Sequence, residues 1–278
     1  MPSSTINGID MRYEVLGDHG SWVALSPGGR RGLDEIRSLA TRVADAGYRV
    51  LIQDRRNCGA GEVSIGGSSA EHALWSDDLH ALLSSLHALP AFIGGSSSGC
   101  RMSLDFAMRY PQAVRGLLLW RVTGGAFAVE RLTEKYYGEF IRAAREGGMR
   151  SVCASEHFSE LIAARPSNRA RLMALDPERF IEAMSAWDRD FRVGANQPVI
   201  GASAEQLASM MVPACIVPGN DKTHPRSVAK TLAGLMPKSE LHFLMGEDVD
   251  RDVAEPASWT AKESELAEIF VRWLKRHD

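Results

Sequence analysis

The stretch Ala91-Phe92-Ile93-Gly94-Gly95-Ser96-Ser97-Ser98-Gly99-Cys100 decides how this chain is read. A short apolar run enters a serine–glycine turn and leaves it as a helix-compatible segment over 99–109. The turn itself, Gly95-Ser96-Ser97-Ser98-Gly99, has the pattern G-x-S-x-G. Between a strand and a helix such a turn presents the central serine on a tight, strained backbone, and the flanking glycines let neighbouring chain pack close. The next N–H, that of Ser98, then faces the place where negative charge develops on an attacked carbonyl. Read alone, the pattern also fits an ordinary turn in a chain with 25 glycines; its place between strand and helix favours Ser97 as a nucleophile.

Working outward, the same alternation recurs. WVALS (22–26) precedes a helical pattern over 33–46. YRVLIQD (48–54) precedes one over 70–89, with Leu79, Leu82, Leu83 and Leu86 on one face, and VRGLLLW (114–120) follows the central turn. Short, continuously apolar runs suit strands buried on both faces, and their alternation with helices predicts a mostly parallel sheet. From 123 to 211 no such run occurs, and ERLTEKYYGEFIRAAREGG (130–148) and PERFIEAMSAWDRDF (177–191) read as amphipathic helices. The rhythm resumes with PACIVPG (213–219), a helix over 225–235, a strand at ELHFLM (240–245) and a last helix over 262–276. The expected organisation is an α/β core domain of residues 1–122 and 212–278 with a helical cap, 123–211, inserted into it.

A length of 278 residues with 45% hydrophobic residues supplies a sizeable core. With a net charge of −3, nothing suggests the clustered basic footprint of a nucleic-acid binder. No run reaches the ~18 apolar residues of a membrane span, and the start lacks the basic-then-apolar pattern of a secretory signal. Cys58, Cys100, Cys153 and Cys215 are scattered, which fits reduced thiols in the cytoplasm rather than a disulfide framework or zinc site. The expected partner is a small-molecule substrate, with no nucleic acid, membrane, metal or cofactor called for. Oligomeric state leaves no mark in the sequence.

Across nearly its whole length the chain resembles the α/β-hydrolase superfamily. Leu25-Ser26-Pro27-Gly28-Gly29 falls where that family places its His-Gly turn, so the resemblance makes Gly28 or Gly29 the second oxyanion donor beside Ser98; Ser26-Pro27 departs from His-Gly. Residues 54–61, DRRNCGAG, resemble the D-x-R-G-x-G-x-S loop, with Asn57 and Gly61 as departures and Arg56 in a structural role. Ser76-Asp77-Asp78-Leu79 resembles the D-D-L helix ahead of the serine turn. Residues 218–225, PGNDKTHP, resemble the acid loop, which makes Asp221 the acid; the same residues also suit an Asx turn or a cap before Pro225.

One element is missing. The family's histidine follows the last strand, and here Asp248, Val249 and Asp250 stand in its place. Without a base, a serine hydroxyl is a poor nucleophile. His242 lies about seven residues short, some 20 Å at strand spacing. His80 and His87 belong to the helix before the turn, His19 and His277 to the chain ends, His72 to a loop rim and His157 to the cap. His224 is the best candidate: it follows Asp221 by three residues at the edge where open α/β sheets bind ligands, although a histidine there also suits a helix cap. The carboxylates at 248, 250 and 252 read as a solvated loop. Arg30, Arg31 and Arg121 fall at strand ends, where a guanidinium could grip a substrate carboxylate or merely make surface ion pairs. Phe127, Tyr136, Tyr137, Trp187 and Phe191 could roof an apolar cavity. The expected activity is cofactor-independent serine hydrolysis of a small ester, lactone or similar activated carbonyl, with or without a carboxylate on the substrate. The alternatives are a weakly catalytic ligand binder and a lyase or carbon–carbon bond-cleaving enzyme.

Overall fold

The computed structural model describes residues 3–67 and 69–278. Among them, β1 (Ser3–Ile6), β2 (Ile9–Leu16), β3 (Trp22–Ser26), β4 (Arg49–Gln53), β5 (Ala91–Ser96), β6 (Val114–Trp120), β7 (Ala214–Val217) and β8 (Ser239–Leu241) form one sheet. Its order is β1-β2-β4-β3-β5-β6-β7-β8. The β1–β2 and β2–β4 pairs are antiparallel and the other five are parallel. Strands β3, β4, β5 and β7 are apolar throughout much of their length because helices cover both faces.

The helices are α1 (Arg37–Asp45), α2 (Glu71–Ser85), α3 (Ser98–Arg109), α4 (Ala126–Thr133), α5 (Glu139–Ala154), α6 (Glu156–Ala164), α7 (Ser167–Met173), α8 (Pro177–Val193), α9 (Ala204–Ser209), α10 (Arg226–Leu235), α11 (Pro256–Thr260) and α12 (Glu263–His277). One apolar cluster joins α1 and α12 to the sheet through Leu39, Val43, Phe270 and Trp273. A second joins α2, α3 and α10 to the other face through Leu79, Leu82, Met102, Phe106 and Leu232. The chain between β6 and β7 is helical and carries its own cluster, centred on Phe140, Phe158, Phe180, Met184 and Trp187.

Two elements are shorter than their sequence pattern. Helix α2 stops at Ser85 rather than 89, because His87 turns left-handed (φ +51°) and Ala88 N–H closes the end onto Leu83 O. Strand β8 ends at Leu241 rather than 245, because its only neighbour β7 is four residues long and leaves the sheet after Val217.

The topology fixes where a site can form. From β3 the chain moves to β4 on one side and returns to β5 on the other, so a crevice opens beyond the carboxyl ends of β3 and β5. Those two ends are Ser26 and Ser96, which lead into the Gly28–Gly29 turn and into Ser97.

Candidate active site

Ser97 is the joint between β5 and α3, and its backbone is left-handed (φ +53°, ψ −110°). Strain of this kind costs on the order of 1–3 kcal/mol and persists only where packing imposes it. The packing here is backbone against backbone. A Cβ on Gly95 would lie 2.4 Å from the Gly99 carbonyl carbon, and one on Gly99 would lie 2.6 Å from Ser26 O. Only glycine fits at either flank, and the reversal throws the Ser97 hydroxyl into the crevice.

Ser97 Oγ lies 2.9 Å from His224 Nε2 and 3.1 Å from Thr123 Oγ1. His224 Nδ1 lies 2.8 Å from Asp221 Oδ1. A carboxylate can only accept, so Nδ1 carries the proton, Nε2 is the acceptor, and the Ser97 hydroxyl donates to it. That hydroxyl's proton being committed, Thr123 donates to Ser97 Oγ. Proton accounting thus orders one chain: Thr123 to Ser97 to His224 to Asp221.

The acid loop is built to hold this geometry. Asp221 Oδ1 also accepts from the Thr223 and His224 N–H groups, and Oδ2 accepts from Ala254 N–H at 2.8 Å. Burial alone would raise the Asp221 pKa; the hydrogen bond and charge of His224, with the backbone donors, outweigh it and hold the carboxyl at about 2. For His224 burial dominates, and with the Arg121 charge it pushes the imidazole below its usual range in spite of Asp221. Asp221 is therefore charged and His224 neutral near pH 7, the states a base needs. The loop can fold back because residue 219 is glycine: a Cβ there would sit 2.4 Å from both Cβ and O of His224.

The segment where the family's histidine would stand supports this loop from below. Val249 N–H donates to Asn220 O, while Lys222 and Thr223 N–H groups donate to Arg251 O and Asp252 O. Its carboxylates face outward: Asp248 accepts from Arg226 N–H and Asp250 pairs with Lys222 at 2.6 Å. The segment holds no histidine and braces the loop that carries Asp221 and His224.

On the other side of Ser97, the Pro27–Gly28–Gly29 turn is pinned to the start of α3. Ser98 Oγ donates to Gly29 O at 2.7 Å, and the buried Arg55 donates to Pro27 O, Gly29 O and Ser98 Oγ. A Cβ on Gly28 would touch Ser97 Cβ at 3.4 Å, so this backbone borders Ser97. Ser98 opens α3, where an N–H has no acceptor within the helix. Arg56 grips Asp78 with two hydrogen bonds of 2.6 and 2.7 Å, tying its loop to α2.

The three arginines expected at the substrate lie elsewhere. Arg30 is buried, but its guanidinium pairs with Glu71 at 2.9 Å over the Tyr136 and Tyr137 rings. Arg31 is exposed beside Glu35. Arg121 turns back over Trp259 and reaches to 3.8 Å of Asp221 Oδ2. Arg30 and Arg121 are each claimed by a partner distant in sequence, and Arg31 by one four residues on. The cavity beside Ser97 is instead lined by Arg101, Thr123 and Tyr136 among apolar Leu104, Val122, Leu132, Phe191, Val199 and Ile200, and spans about 360 Å³ counted to its open mouth. Of the expected roof aromatics Tyr136 and Phe191 line it. Tyr137 and Trp187 instead bond inward to Glu71 and Ser69, and Phe127 is exposed.

Neither His72 nor His157 approaches Ser97 with a hydrogen bond. His72 is not on a loop rim but buried in the first turn of α2, accepting from Arg101 at 2.5 Å. His157 donates to Asn57 O, and burial, helped by the Arg30 charge, pushes it down to about 3. Among the described residues no group of three potential ligands could hold a metal ion, and no helix is long and apolar enough to cross a membrane.

No family model matches the chain. It is 25% identical over 275 residues to a 2-hydroxymuconate semialdehyde hydrolase of Pseudomonas putida, covering 95% of this chain and 86% of that one. It is 30% identical over 113 residues to an uncharacterized hydrolase, YraK, of Bacillus subtilis strain 168, a match spanning only 41% of each. Among solved structures, a hydrolase from Pseudomonas aeruginosa PA01 superposes with a TM-score of 0.68 at 19% identity, covering 98% of this chain and 97% of that one. An alpha/beta hydrolase enzyme from a Medee basin deep-sea metagenome library superposes with a TM-score of 0.64 at 15% identity, covering 97% and 96%.

Proposed function

We propose that this chain, whose fold is that of the α/β-hydrolases, is a cofactor-independent serine hydrolase of a small ester, lactone or similarly activated carbonyl. The observation that carries the reading is the hydrogen-bonded series Ser97, His224, Asp221, with 2.9 and 2.8 Å between its members. In the reaction Ser97 Oγ attacks the carbonyl carbon as its proton passes to His224 Nε2. The carbonyl oxygen takes up the electron pair and is held by the Ser98 N–H and the Gly28–Gly29 turn. Asp221 stabilises the imidazolium, which then gives its proton to the departing alkoxide. Water, deprotonated by His224, attacks the acyl–Ser97 ester and releases the acid, restoring the hydroxyl.

A ligand-binding role drew its force from the absence of a base, and His224 beside Ser97 removes that motive. Scission of a carbon–carbon bond is the second reading, favoured by the relative named for a semialdehyde rather than an ester. The test is turnover of a panel of short p-nitrophenyl esters and simple lactones by the wild type and by Ser97→Ala. Turnover by the wild type that Ser97→Ala loses by at least a thousandfold supports the proposal. Equal turnover by both, or none by the wild type, defeats it.

A further inference from the structure

We propose that Arg101 is the docking point for a carboxylate on the substrate, which displaces Asp190 from it; this rests on the hydrolase reading above. Arg101 lies on α3 four residues after Ser97, one helical turn along the same face. Among the described residues lining the cavity it is the one cation, and only 7% of it is exposed.

Its hydrogen bonding is half-finished. Nη2 donates to His72 Nδ1 at 2.5 Å and to Asp190 Oδ2 at 3.1 Å, but the buried Nε has no partner. A buried donor left unmet costs about 1–3 kcal/mol. The surroundings orient the group rather than satisfy it. Phe191 lies against its face, 4.6 Å from ring centroid to Cζ. His72, which accepts from it, directs its other nitrogen toward Asp105 at 3.7 Å. Gly201 lets the backbone pack close to this side chain: a Cβ there would lie 3.0 Å from Cγ and 3.2 Å from Nε of Arg101.

Asp190 is the member that can yield. It stands on α8, its side chain is 44% exposed, and it holds Nη2 by a single hydrogen bond. A substrate carboxylate taking its place would meet Nε and Nη2 together, the two-toothed arrangement guanidinium favours, while His72 keeps the second Nη2 proton. A planar, singly charged group suits a narrow cavity whose other walls are largely apolar. The substrate class is thus an ester or lactone whose acyl chain ends in a carboxylate.

The experiment compares pairs of equal acyl-chain length: monomethyl succinate, glutarate and adipate against methyl butanoate, pentanoate and hexanoate. For each pair it measures the ratio of kcat/KM, charged over neutral, and the calorimetric Kd of both esters. In the wild type at least one pair should favour the charged ester tenfold or more. Arg101→Gln should lower that ratio at least tenfold, Arg101→Lys less, and Asp190→Asn should raise it. No preference in any pair, or a ratio unmoved by Arg101→Gln, overturns the proposal; in the latter case Arg101 merely ties α8 to α3. If no ester is turned over, the hydrolase reading falls, and the Kd values decide alone. Tighter binding of a charged ester that Arg101→Gln abolishes sustains the docking point, and equal Kd values refute it.

Discussion

Gly219→Ala should disable the site without touching any group that takes part in the chemistry. The added Cβ would sit 2.4 Å from Cβ and carbonyl O of His224, whereas ordinary contact begins near 3.4 Å. About 1 Å of movement must therefore be found, and much of it falls on His224 itself. Carried to the ring, that shift takes Nε2 from 2.9 Å to roughly 3.9 Å from Ser97 Oγ, outside hydrogen-bonding range. A misplacement of about 1 Å is worth some hundredfold in rate, or about 2.7 kcal/mol of barrier. Overpacking should also cost about 1–3 kcal/mol of stability. The assay is kcat/KM on the best p-nitrophenyl ester together with urea unfolding. Gly234→Ala serves as control, since a Cβ there meets nothing within 4 Å. Gly219→Ala at a rate within twofold of wild type would refute the claim that the folded-back loop positions the base.

Thr123→Val removes the donor to Ser97 Oγ at nearly constant volume, and a hydrogen bond of about 0.5–1.5 kcal/mol translates into a rate roughly 2–12-fold lower; an unchanged rate at unchanged Tm would deny Thr123 a positioning role. Because burial holds His224 below its ordinary pKa of about 6.5, kcat/KM should be flat down to that pH and fall only below it. An acid limb centred above pH 7 would contradict this. Stability should also decline in acid: His72, His157 and His224 stay neutral in the fold while the unfolded chain takes up protons below about pH 6.5. His157 then removes about 1.4 kcal/mol per pH unit, down to about pH 3. Urea unfolding at pH 7.5, 6 and 5 should show this slope, and His157→Gln should flatten it by one histidine's share; an equal slope in both would exclude that origin.

The sheet and the serine turn were legible because their signals are local. Continuous apolar runs, glycines flanking Ser97 and helix-period leucines each depend on a few adjacent residues. His224 was legible as a candidate for the same reason, since its distance from Asp221 is set within one short loop. Whether it served as base or cap was not, because that depends on Gly219 and on bracing from 249–254, which is distant in sequence. Arg30 and Arg121 lie near the expected edge, but Glu71 and Asp221 turn their side chains away from the cavity, and no local pattern announces such partners. Arg101 did carry a signal: an arginine one turn after Ser97, in a helix whose other faces are packed, must point somewhere polar. Thr123 had only its place just past a strand end, which many loop residues share.

The central claim is that Ser97 is a nucleophile activated by a histidine on the acid loop. Its most direct measurement is the rate of phosphonylation by a fluorophosphonate probe, read by intact mass and peptide mapping in wild type and His224→Ala. The expected result is a single adduct on Ser97, formed at least a hundredfold more slowly in His224→Ala, in keeping with the 10²–10⁴-fold value of a general base. An adduct on another residue, or equal rates in the two proteins, would contradict it.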